Sequence, residues 1–529
     1  MEGREVIASG NAYLGIEFGS TRIKGVLIDS SAKVLAMGSH EWENQLKDGI
    51  WTYSMEAITT GLQDCYSDLL KNVKEQYDIA ITRLRGMGVS AMMHGYLAFN
   101  EKDELLTEFR TWRNTITEEA ANELSKEFSF NIPQRWSVAH LYQAILNKEE
   151  HVKDVAFFTT LAGYIHWKLT GNKVLGIGDA SGMFPIDSTL KDYHENMMKQ
   201  FDVLAKQHGF EKSIADLLPK VLVAGENAGT LTEEGAKLLD VTGQLQAGCA
   251  VCPPEGDAGT GMTATNSVRV KTGNVSAGTS VFAMVVLEKA LKTYHQEIDM
   301  VTTPSGEAVA MVHCNNCTSD LNAWVQLFCQ FSEAMGVEVD KNKAYTVLFE
   351  KALQADADGG GLLSYNYFSG ESITGFDEGR PIFARAQNAN FNLANFMRVH
   401  LFTALGALKI GLDILLKDEG VSIDTMYGHG GFFKTPVVGQ RIMAAAMNAP
   451  VATMTTAGEG GPWGMAVLAA YMMEAEGESL ADYLSNHIFC GEEIHVEEPK
   501  EDDVKGFDEF LKTYKNGLEI EKAAVKTMK

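Results

Sequence analysis

A glycine-rich stretch near the middle of the chain surrounds an acidic residue that could take part in catalysis. Residues 253–280 read PPEGDAGTGMTATNSVRVKTGNVSAGTS, and Asp257 lies among the first glycines. Glycine permits tight turns and close approach of a ligand, and backbone N–H groups in such turns can bind anions. A carboxylate beside them is suited to taking a proton from a substrate hydroxyl. Two solvated turns joining ordinary strands would show the same pattern, so this stretch alone leaves both interpretations open.

A second glycine turn lies near the N-terminus. Residues 13–29 read YLGIEFGSTRIKGVLID, with two apolar runs around a turn at 19–21. The pattern predicts a β-hairpin whose turn offers N–H groups, two hydroxyls and the amine of Lys24 or Arg22 for phosphate binding. Glu17 precedes the turn and could hold a hydrated Mg²⁺, which needs few protein carboxylates. A plain hairpin is the alternative.

Two more glycine turns occur in the C-terminal half. Residues 426–434, MYGHGGFFK, end a predicted strand and enter a helix. Residues 455–464, TTAGEGGPWG, repeat this design with Pro462 in the first helical turn. Helix N-termini that follow such turns suit phosphates and nucleotides. Four such turns, two in each half, favour nucleotide binding more than any one of them does.

Composition restricts the class of protein. A chain of 529 residues exceeds a single core and predicts two large domains of ~200–250 residues. A net charge of −25 disfavours nucleic acids and anionic membranes as partners. No window reaches the ~20 apolar residues of a spanning helix, and the N-terminus does not read as a signal peptide. We therefore expect a cytoplasmic protein with a small-molecule partner and no membrane or nucleic-acid partner.

Four of the seven cysteines form two CxxC pairs, Cys249/Cys252 and Cys314/Cys317. Zinc binding is disfavoured, because 62 positions separate Cys252 from Cys314 and zinc ribbons use ~15–20. We predict buried, reduced thiols.

The order of strands and helices after residue 280 is similar to that of the first half. Apolar periodicity predicts helices at 55–71, 320–335 and 341–355, and one long apolar helix at about 392–416. The acidic tail from Glu492 predicts a solvated surface run without chemistry.

With these motifs in order, the chain resembles the FGGY carbohydrate kinases, within the actin, hexokinase and Hsp70-like ATPases, over residues 14–473. GIEFGSTRIK is similar to the family's first phosphate loop, GDAGTG to its catalytic-acid segment and NVSAGTS to its second phosphate loop. GHGGFFK and EGGPWG are similar to its adenosine-binding turns. SAMMHG, TWRN and GDASGMFPID most resemble the pentulose kinases, particularly xylulokinases.

The resemblance implies an α/β chain with two RNase H-like domains around a central cleft. It implies an N-terminal domain at 12–264 with the catalytic acid, a C-terminal adenosine-side domain at 265–480 and an acidic, helical extension at 481–529. It leaves a homodimer open.

The resemblance also implies roles for individual residues. Asp257 would be the general base, and Glu17 with Asp257 would hold Mg²⁺ through water. The implied sugar contacts are Met93, His94, Trp112, Asn114 and Asp257. The implied ATP contacts are Gly19, Ser20, Thr21, Lys24, Gly278, Thr279, Ser280, Gly430, Gly431, Lys434, Glu459 and Gly460.

The implied reaction is ATP-dependent phosphorylation of a neutral ketopentose, D-xylulose or L-ribulose, on its terminal hydroxyl. A charged sugar acid is not predicted, since the sugar motifs contain no arginine besides Arg113. The chain has Glu17 where the family has Asp, and it lacks three xylulokinase residues: Met92 replaces Gln, Asn114 replaces Asp and Ala258 replaces Asn. The alternatives are a kinase of another sugar or polyol and a non-catalytic, actin-like nucleotide switch.

Overall fold

The computed structural model describes residues 3–454 and 460–528. The chain forms two compact units, each assembled from segments that are distant in sequence. Unit 1 comprises Met1–Val268, Asp299–Val309 and Gly458–Gly491. Unit 2 comprises Arg269–Ile298, Ala310–Ala457 and Glu492–Lys529. The domain boundaries predicted along the sequence stay a proposal.

The sheet of unit 1 is built around a hairpin and parallel strands. Strand β1 pairs antiparallel with β2, β2 pairs antiparallel with β3, and β1 pairs parallel with β4. Two short strands, β5 and β6, both pair parallel with β4. The strands are β1 Tyr13–Phe18, β2 Arg22–Ile28, β3 Val34–Glu41, β4 Gly86–Ala91, β5 Ala250–Val251 and β6 Glu255–Gly256.

Unit 2 contains six strands side by side in the order β9–β8–β7–β10–β11–β12. Here β7 pairs antiparallel with β8 and parallel with β10, and β10 pairs parallel with β11. The strands are β7 Thr272–Ala277, β8 Val281–Val286, β9 Ala308–Cys314, β10 Thr425–His429, β11 Val451–Met454 and β12 Ile494–Glu497.

Both units therefore use one strand order. Counted within each unit, the third, second, first, fourth and fifth strands are neighbours, and an antiparallel hairpin leads into parallel pairing. This arrangement confirms the predicted α/β class and the two RNase H-like folds.

Helices and shorter strand pairs complete each unit. The α-helices of unit 1 are Gly3–Ala8, Met55–Tyr77, Glu118–Phe128, Ser137–Leu146, Leu161–Thr170, Ile177–Ala180, Glu195–Gln207, Glu233–Leu239, Asp257–Ala264, Gly460–Glu474 and Leu480–Tyr483. Those of unit 2 are Ser319–Ala334, Lys341–Ala352, Leu393–Ala404, Gly406–Asp413, Val438–Met447, Glu501–Asn516 and Leu518–Thr527. The remaining strands are Gln45–Lys47, Ile50–Thr52, Leu97–Phe99, Phe157–Thr159, Val174–Gly176, Ile186–Asp187, Asp192–Tyr193, Lys220–Leu222, Asp299–Thr302, Leu362–Tyr365 and Ile382–Arg385.

The prediction of one long helix at 392–416 is wrong. The helix is interrupted after Ala404 and resumes at Gly406, and the two axes differ by 49°. A Cβ at Gly406 would lie 2.9 Å from the ring of Tyr514, so the glycine allows the helix Glu501–Asn516 to approach here. Within residues 3–454 and 460–528, no single helix is long and apolar enough to cross a membrane, although this bent pair passes that test jointly.

The four cysteines of the CxxC pairs are buried, as predicted.

The acidic tail is more than a solvated surface run. Strand β12 pairs antiparallel with β11, and the helix Glu501–Asn516 follows it. Within this segment, Asp503 is buried and accepts hydrogen bonds of 2.6 Å from both Arg398 and Arg441. The prediction was wrong here because a single buried carboxylate inside an acidic run carries no local sequence signal.

Replacement of Asp503 by Ala should destabilise unit 2 strongly. The change leaves the fully buried Arg398 and its partner Arg441 without their counter-charge, a loss that costs about 3–5 kcal/mol. Urea unfolding followed by circular dichroism should show a lower midpoint. The neighbouring Asp502→Ala is the control, because Asp502 is exposed and should change the midpoint little. Equal midpoints for the two variants would contradict an anchoring role for Asp503.

Candidate active site

Three of the predicted motifs meet at one edge of the unit 1 sheet. Strands β1, β4 and β6 are parallel, and their last residues are in register: Phe18 lies opposite Ala91, and Ala91 lies opposite Gly256. The turn at 19–21, the segment at 92–94 and Asp257 therefore all follow the carboxyl ends of neighbouring strands. In open α/β sheets this edge is the usual ligand-binding position.

Aromatic side chains brace the turn at 19–21. The indole Nε1 of Trp42 donates to the carbonyl oxygen of Gly19 at 2.7 Å. The hydroxyl of Tyr53 donates to the backbone carbonyl oxygen of Ser20 at 2.5 Å. Trp112 donates from Nε1 to the Ser20 hydroxyl at 3.2 Å. Thr21 is exposed. The turn is held from behind while its hydroxyls stay accessible.

Glu17 and Lys24 lie opposite each other on the hairpin, so their side chains point to the same face of the sheet. Glu17 is half-buried against the start of the helix Gly460–Glu474, where a Cβ at Gly461 would lie 1.5 Å from Glu17 Oε2. Burial, together with the nearby charge of Asp257, raises the pKa of Glu17 to about 7, and Lys24 opposes this shift.

Asp257 is the first residue of the helix Asp257–Ala264. Its Oδ1 accepts a hydrogen bond from the backbone N–H of Met93 at 3.2 Å, and its side chain remains exposed to solvent. Desolvation by the surrounding protein raises the pKa of Asp257. The N–H groups of Met93 and Ala258 and the charge of Arg135 oppose this rise. The carboxylate is therefore fixed in position, accessible and more basic than an ordinary aspartate.

His94 and Met93 are both buried. The Nδ1 of His94 donates to the carbonyl oxygen of Gly182 at 3.1 Å, and its Nε2 accepts from Arg135 Nε at 3.1 Å. Burial and the Arg135 guanidinium hold the pKa of His94 well below its usual range, so the ring is neutral. Both ring nitrogens are engaged within unit 1.

Asn114 is also fully engaged. Its Oδ1 accepts from the backbone N–H of Trp51 at 2.8 Å, and its Nδ2 donates to the carbonyl oxygens of Trp51 and Thr111 at 2.8 and 2.9 Å. These bonds make Asn114 a clamp between the strand Ile50–Thr52 and the segment that contains Thr111. Trp112, in contrast, leaves 38% of its surface exposed beside the turn at 19–21.

Sequence reasoning missed a buried pair of acids behind Asp257. Glu255 accepts backbone N–H bonds from Gly178 and Asp179, and Asp179 accepts from the Thr160 hydroxyl at 2.6 Å. Burial, with their mutual repulsion, raises the pKa of Glu255 to about 8, and burial raises that of Asp179 to about 7. The segments 178–182 and 255–257 could be recognised as polar turns from the sequence. The contact between Asp179 and Glu255 could not, because the two residues are far apart in the chain.

In unit 2, the turn at 278–280 occupies the hairpin position that the turn at 19–21 occupies in unit 1. The N–H of Gly278 donates to the carbonyl oxygen of Ser280 at 2.9 Å, and the Thr318 hydroxyl donates to the carbonyl oxygen of Gly278 at 2.7 Å. Gly430 follows the adjacent parallel strand β10 with a φ of +99°, and a Cβ there would lie 2.5 Å from the carbonyl oxygen of Ala277. Glycine is needed at this contact.

A cavity of about 500 Å³ lies beside these two turns in unit 2. Such a volume accommodates a small organic ligand. It brings the predicted Gly431 and Lys434 together with Thr318 and with residues that sequence reasoning missed. The lining residues are Thr318, Asn322, Asn342, Tyr345, Thr346, Phe349, Gly431, Lys434 and Thr435. The i, i+3, i+4, i+7 spacing from Asn342 to Phe349 could have marked this face of the helix Lys341–Ala352.

Of the other predicted ATP contacts, Thr279 lies in the turn at 278–280, where its carbonyl oxygen accepts from the N–H of Cys317 at 2.9 Å. Gly460 begins the helix Gly460–Glu474, whose residues belong to unit 1. Glu459 lies outside the described residues.

The carboxylates of Glu17 and Asp257 fit a hydrated Mg²⁺. Burial and then the charge of Asp257 raise the pKa of Glu17, and a divalent cation would offset the repulsion between the two carboxylates. Mg²⁺ retains several waters and needs one or two protein carboxylates. These two residues would therefore hold it.

Known protein families match both halves of the chain. The N-terminal domain of the FGGY family of carbohydrate kinases matches residues 12–245, and the C-terminal domain of that family matches residues 273–473. The chain is 23% identical to a xylulose kinase of Haemophilus influenzae, over 95% of this chain and 98% of that protein.

Solved structures share the fold. A ligand-bound xylulose kinase from Lactobacillus acidophilus gives a TM-score of 0.77 at 17% identity and covers 98% of this chain and 99% of its own. A gluconate kinase from the same organism gives 0.76 at 18% identity, with 98% of both chains covered.

Loss of the Asn114 clamp should destabilise unit 1 without any ligand present. Asn114→Ala removes the side-chain acceptor of the half-buried Trp51 N–H, and an unpaired donor of this kind costs about 1–3 kcal/mol. The Trp51 carbonyl keeps its hydrogen bonds from Thr111. Thermal unfolding of the ligand-free protein should show a lower Tm. Asn11→Ala is the control, because the Asn11 side chain is exposed and donates a hydrogen bond to the exposed Ser9. An unchanged Tm for Asn114→Ala would show that the clamp contributes little.

Proposed function

Because the chain belongs to the FGGY family of carbohydrate kinases, we propose that it phosphorylates a neutral ketopentose on its terminal hydroxyl. ATP is the phosphate donor, and D-xylulose and L-ribulose are the candidate acceptors. The observation that carries the proposal is the accessible carboxylate of Asp257, fixed by the Met93 N–H beside Glu17.

In this proposal Asp257 is the general base. Its carboxylate accepts the proton of the terminal sugar hydroxyl, and the sugar oxygen then forms its bond to the γ-phosphorus as the bond to ADP breaks. The elevated pKa of Asp257 makes it a stronger proton acceptor than a solvated aspartate. Bound Mg²⁺ would neutralise charge on the phosphate oxygens, and Glu17 with Asp257 would hold it through water.

The remaining proposed roles are binding roles. The turn at 19–21 with Lys24 and the turn at 278–280 supply N–H groups, hydroxyls and one amine to phosphate oxygens. The unit 2 cavity with Gly430, Gly431 and Lys434 takes the adenosine. We also propose that Gly460, at the start of its helix, and Glu459 contact the adenosine.

The relatives guide the choice of sugar but leave it open. Proteins named xylulose kinase match nearly the whole chain, whereas a gluconate kinase has an equally similar fold. Of the departures from the xylulokinase pattern, Met92 is buried and Asn114 forms the clamp, so both act in the scaffold. Ala258 is partly exposed directly after the base. A smaller side chain there changes the room around the sugar, so D-xylulose and L-ribulose stay equal candidates.

Replacement of Asp257 by Asn should lower kcat by about 10²–10⁴, because the amide cannot accept the hydroxyl proton. The KM for ATP should change little. Initial rates of ADP release, measured with D-xylulose, L-ribulose, glycerol and D-gluconate, test both the base and the sugar. Asp48→Asn is the control: Asp48 is exposed in a left-handed turn that Asn adopts readily.

ADP release that rises only with a ketopentose supports the proposal. Parental turnover by Asp257→Asn would remove Asp257 as the base. A clear preference for glycerol or D-gluconate would contradict the proposed acceptor. ADP release that does not depend on any acceptor would favour a nucleotide switch.

A further inference from the structure

Two of the predicted sugar contacts have their polar groups committed to the protein. Both ring nitrogens of His94 and both amide hydrogens of Asn114 form hydrogen bonds within unit 1. Neither side chain has a donor left for a sugar hydroxyl in this arrangement. Recognition of the sugar therefore needs another polar group near Asp257.

Arg135 is such a group. Its Nε donates to His94 Nε2 at 3.1 Å, and its charge acts on Asp257. About 27% of its side chain is exposed. Within the part of the chain that the structure describes, its Nη1 group has no protein hydrogen-bond partner, so it can donate to a bound molecule.

The charge of Arg135 is already compensated. Its Nη2 forms an ion pair with Asp299, whose other carboxylate oxygen accepts from Asn131 at 2.7 Å. Asp299 is only 13% exposed, so the pair is shielded from solvent. A guanidinium neutralised in this way offers directed N–H groups without an excess of positive charge.

We propose that the Arg135–Asp299 pair selects the substrate. Arg135 donates through Nη1 to a hydroxyl or carbonyl oxygen of a neutral sugar, and Asp299 cancels the charge that would otherwise attract a sugar acid. This inference rests on the proposed function and specifies its substrate class.

The neighbouring charges act in the same direction. Asp257 and Glu17 lie at the strand ends, Asp179 and Glu255 lie behind them, and Lys24 faces Glu17. Burial raises the pKa values of Glu17, Asp179 and Glu255, so this region disfavours the ionised form of a carboxyl group. A sugar carboxylate placed here would meet the same cost, whereas a neutral polyhydroxylated molecule would not.

The test compares binding of a ketopentose with binding of the sugar acid of the same length. The ketopentose is whichever of D-xylulose and L-ribulose the parental protein uses better, and the acid is D-xylonate. The measured quantities are KM for the ketopentose, KM for ATP and the inhibition constant of D-xylonate against the ketopentose. The ratio of the inhibition constant to the sugar KM reports selectivity.

Asp299→Asn should lower this ratio at least tenfold, because it leaves the guanidinium charge uncompensated. Arg135→Met should raise the sugar KM at least tenfold and change the KM for ATP less than twofold. In the double variant Arg135→Met/Asp299→Asn, the ratio should differ less than twofold from that of Arg135→Met, because no guanidinium is left to compensate. The matched control is Glu149→Gln, which breaks the Arg110–Glu149 pair elsewhere in unit 1 and should leave the ratio within twofold of the parent.

A parental ratio in Asp299→Asn, or a parental sugar KM in Arg135→Met, would overturn the inference. Should Asp299→Asn not fold, Arg135→Lys decides the question. It keeps a charge opposite Asp299 but lacks Nη1, so it should raise the sugar KM as Arg135→Met does, and a parental KM would overturn the inference. If the parental protein uses neither ketopentose, the proposed function fails. If the parental protein uses one of them, but neither the sugar KM nor the ratio changes in the Arg135 and Asp299 variants, only this inference fails.

Discussion

The structure of the site depends on two carboxylates at one edge of the unit 1 sheet. Glu17 is the penultimate residue of β1 and Asp257 follows β6, and both strands pair parallel with β4. Burial and the charge of Asp257 make the ionisation of Glu17 costly. Fixed groups offset this cost: the Met93 N–H bonds to Asp257, Lys24 faces Glu17, and the charge of Arg135 acts on Asp257. A helix starts at Asp257 and another starts beside Glu17, and helix N-termini favour negative charge. The chain thus maintains a pair of acids that can hold a hydrated cation and accept a proton.

The repeated strand order explains where the glycine turns lie. In each unit the first hairpin turn follows a strand that has a parallel neighbour, so the turn lies at the same edge of the sheet as the end of that neighbour. In unit 2 the turn at 278–280 and Gly430 meet in this way beside the cavity. In both units, therefore, the glycine turns lie at the carboxyl ends of parallel strands, the usual position of ligand sites in such sheets.

Local patterns in the sequence were enough to predict the hairpins and the glycine turns, because each is encoded by neighbouring residues. The role of Asp257 stays a prediction. Local patterns were not enough for groups whose meaning depends on distant partners. The Arg135–Asp299 pair joins positions 164 residues apart, and the anchoring of Asp503 joins the tail to two internal helices. His94 and Asn114 were predicted to contact the sugar, and this role stays a prediction. Only the fold shows that His94 forms hydrogen bonds with Arg135 and Gly182, and that Asn114 forms them with Trp51.

The central claim is that a terminal sugar hydroxyl, activated by Asp257, receives the phosphate of ATP. Phosphorus NMR of the product formed from the preferred ketopentose tests it most directly, since coupling identifies the carbon that carries the phosphate. We expect one phosphate monoester, coupled to the terminal methylene remote from the carbonyl and formed in equal amount to ADP. ADP accompanied by inorganic phosphate alone, or a phosphate on any other carbon, would contradict it.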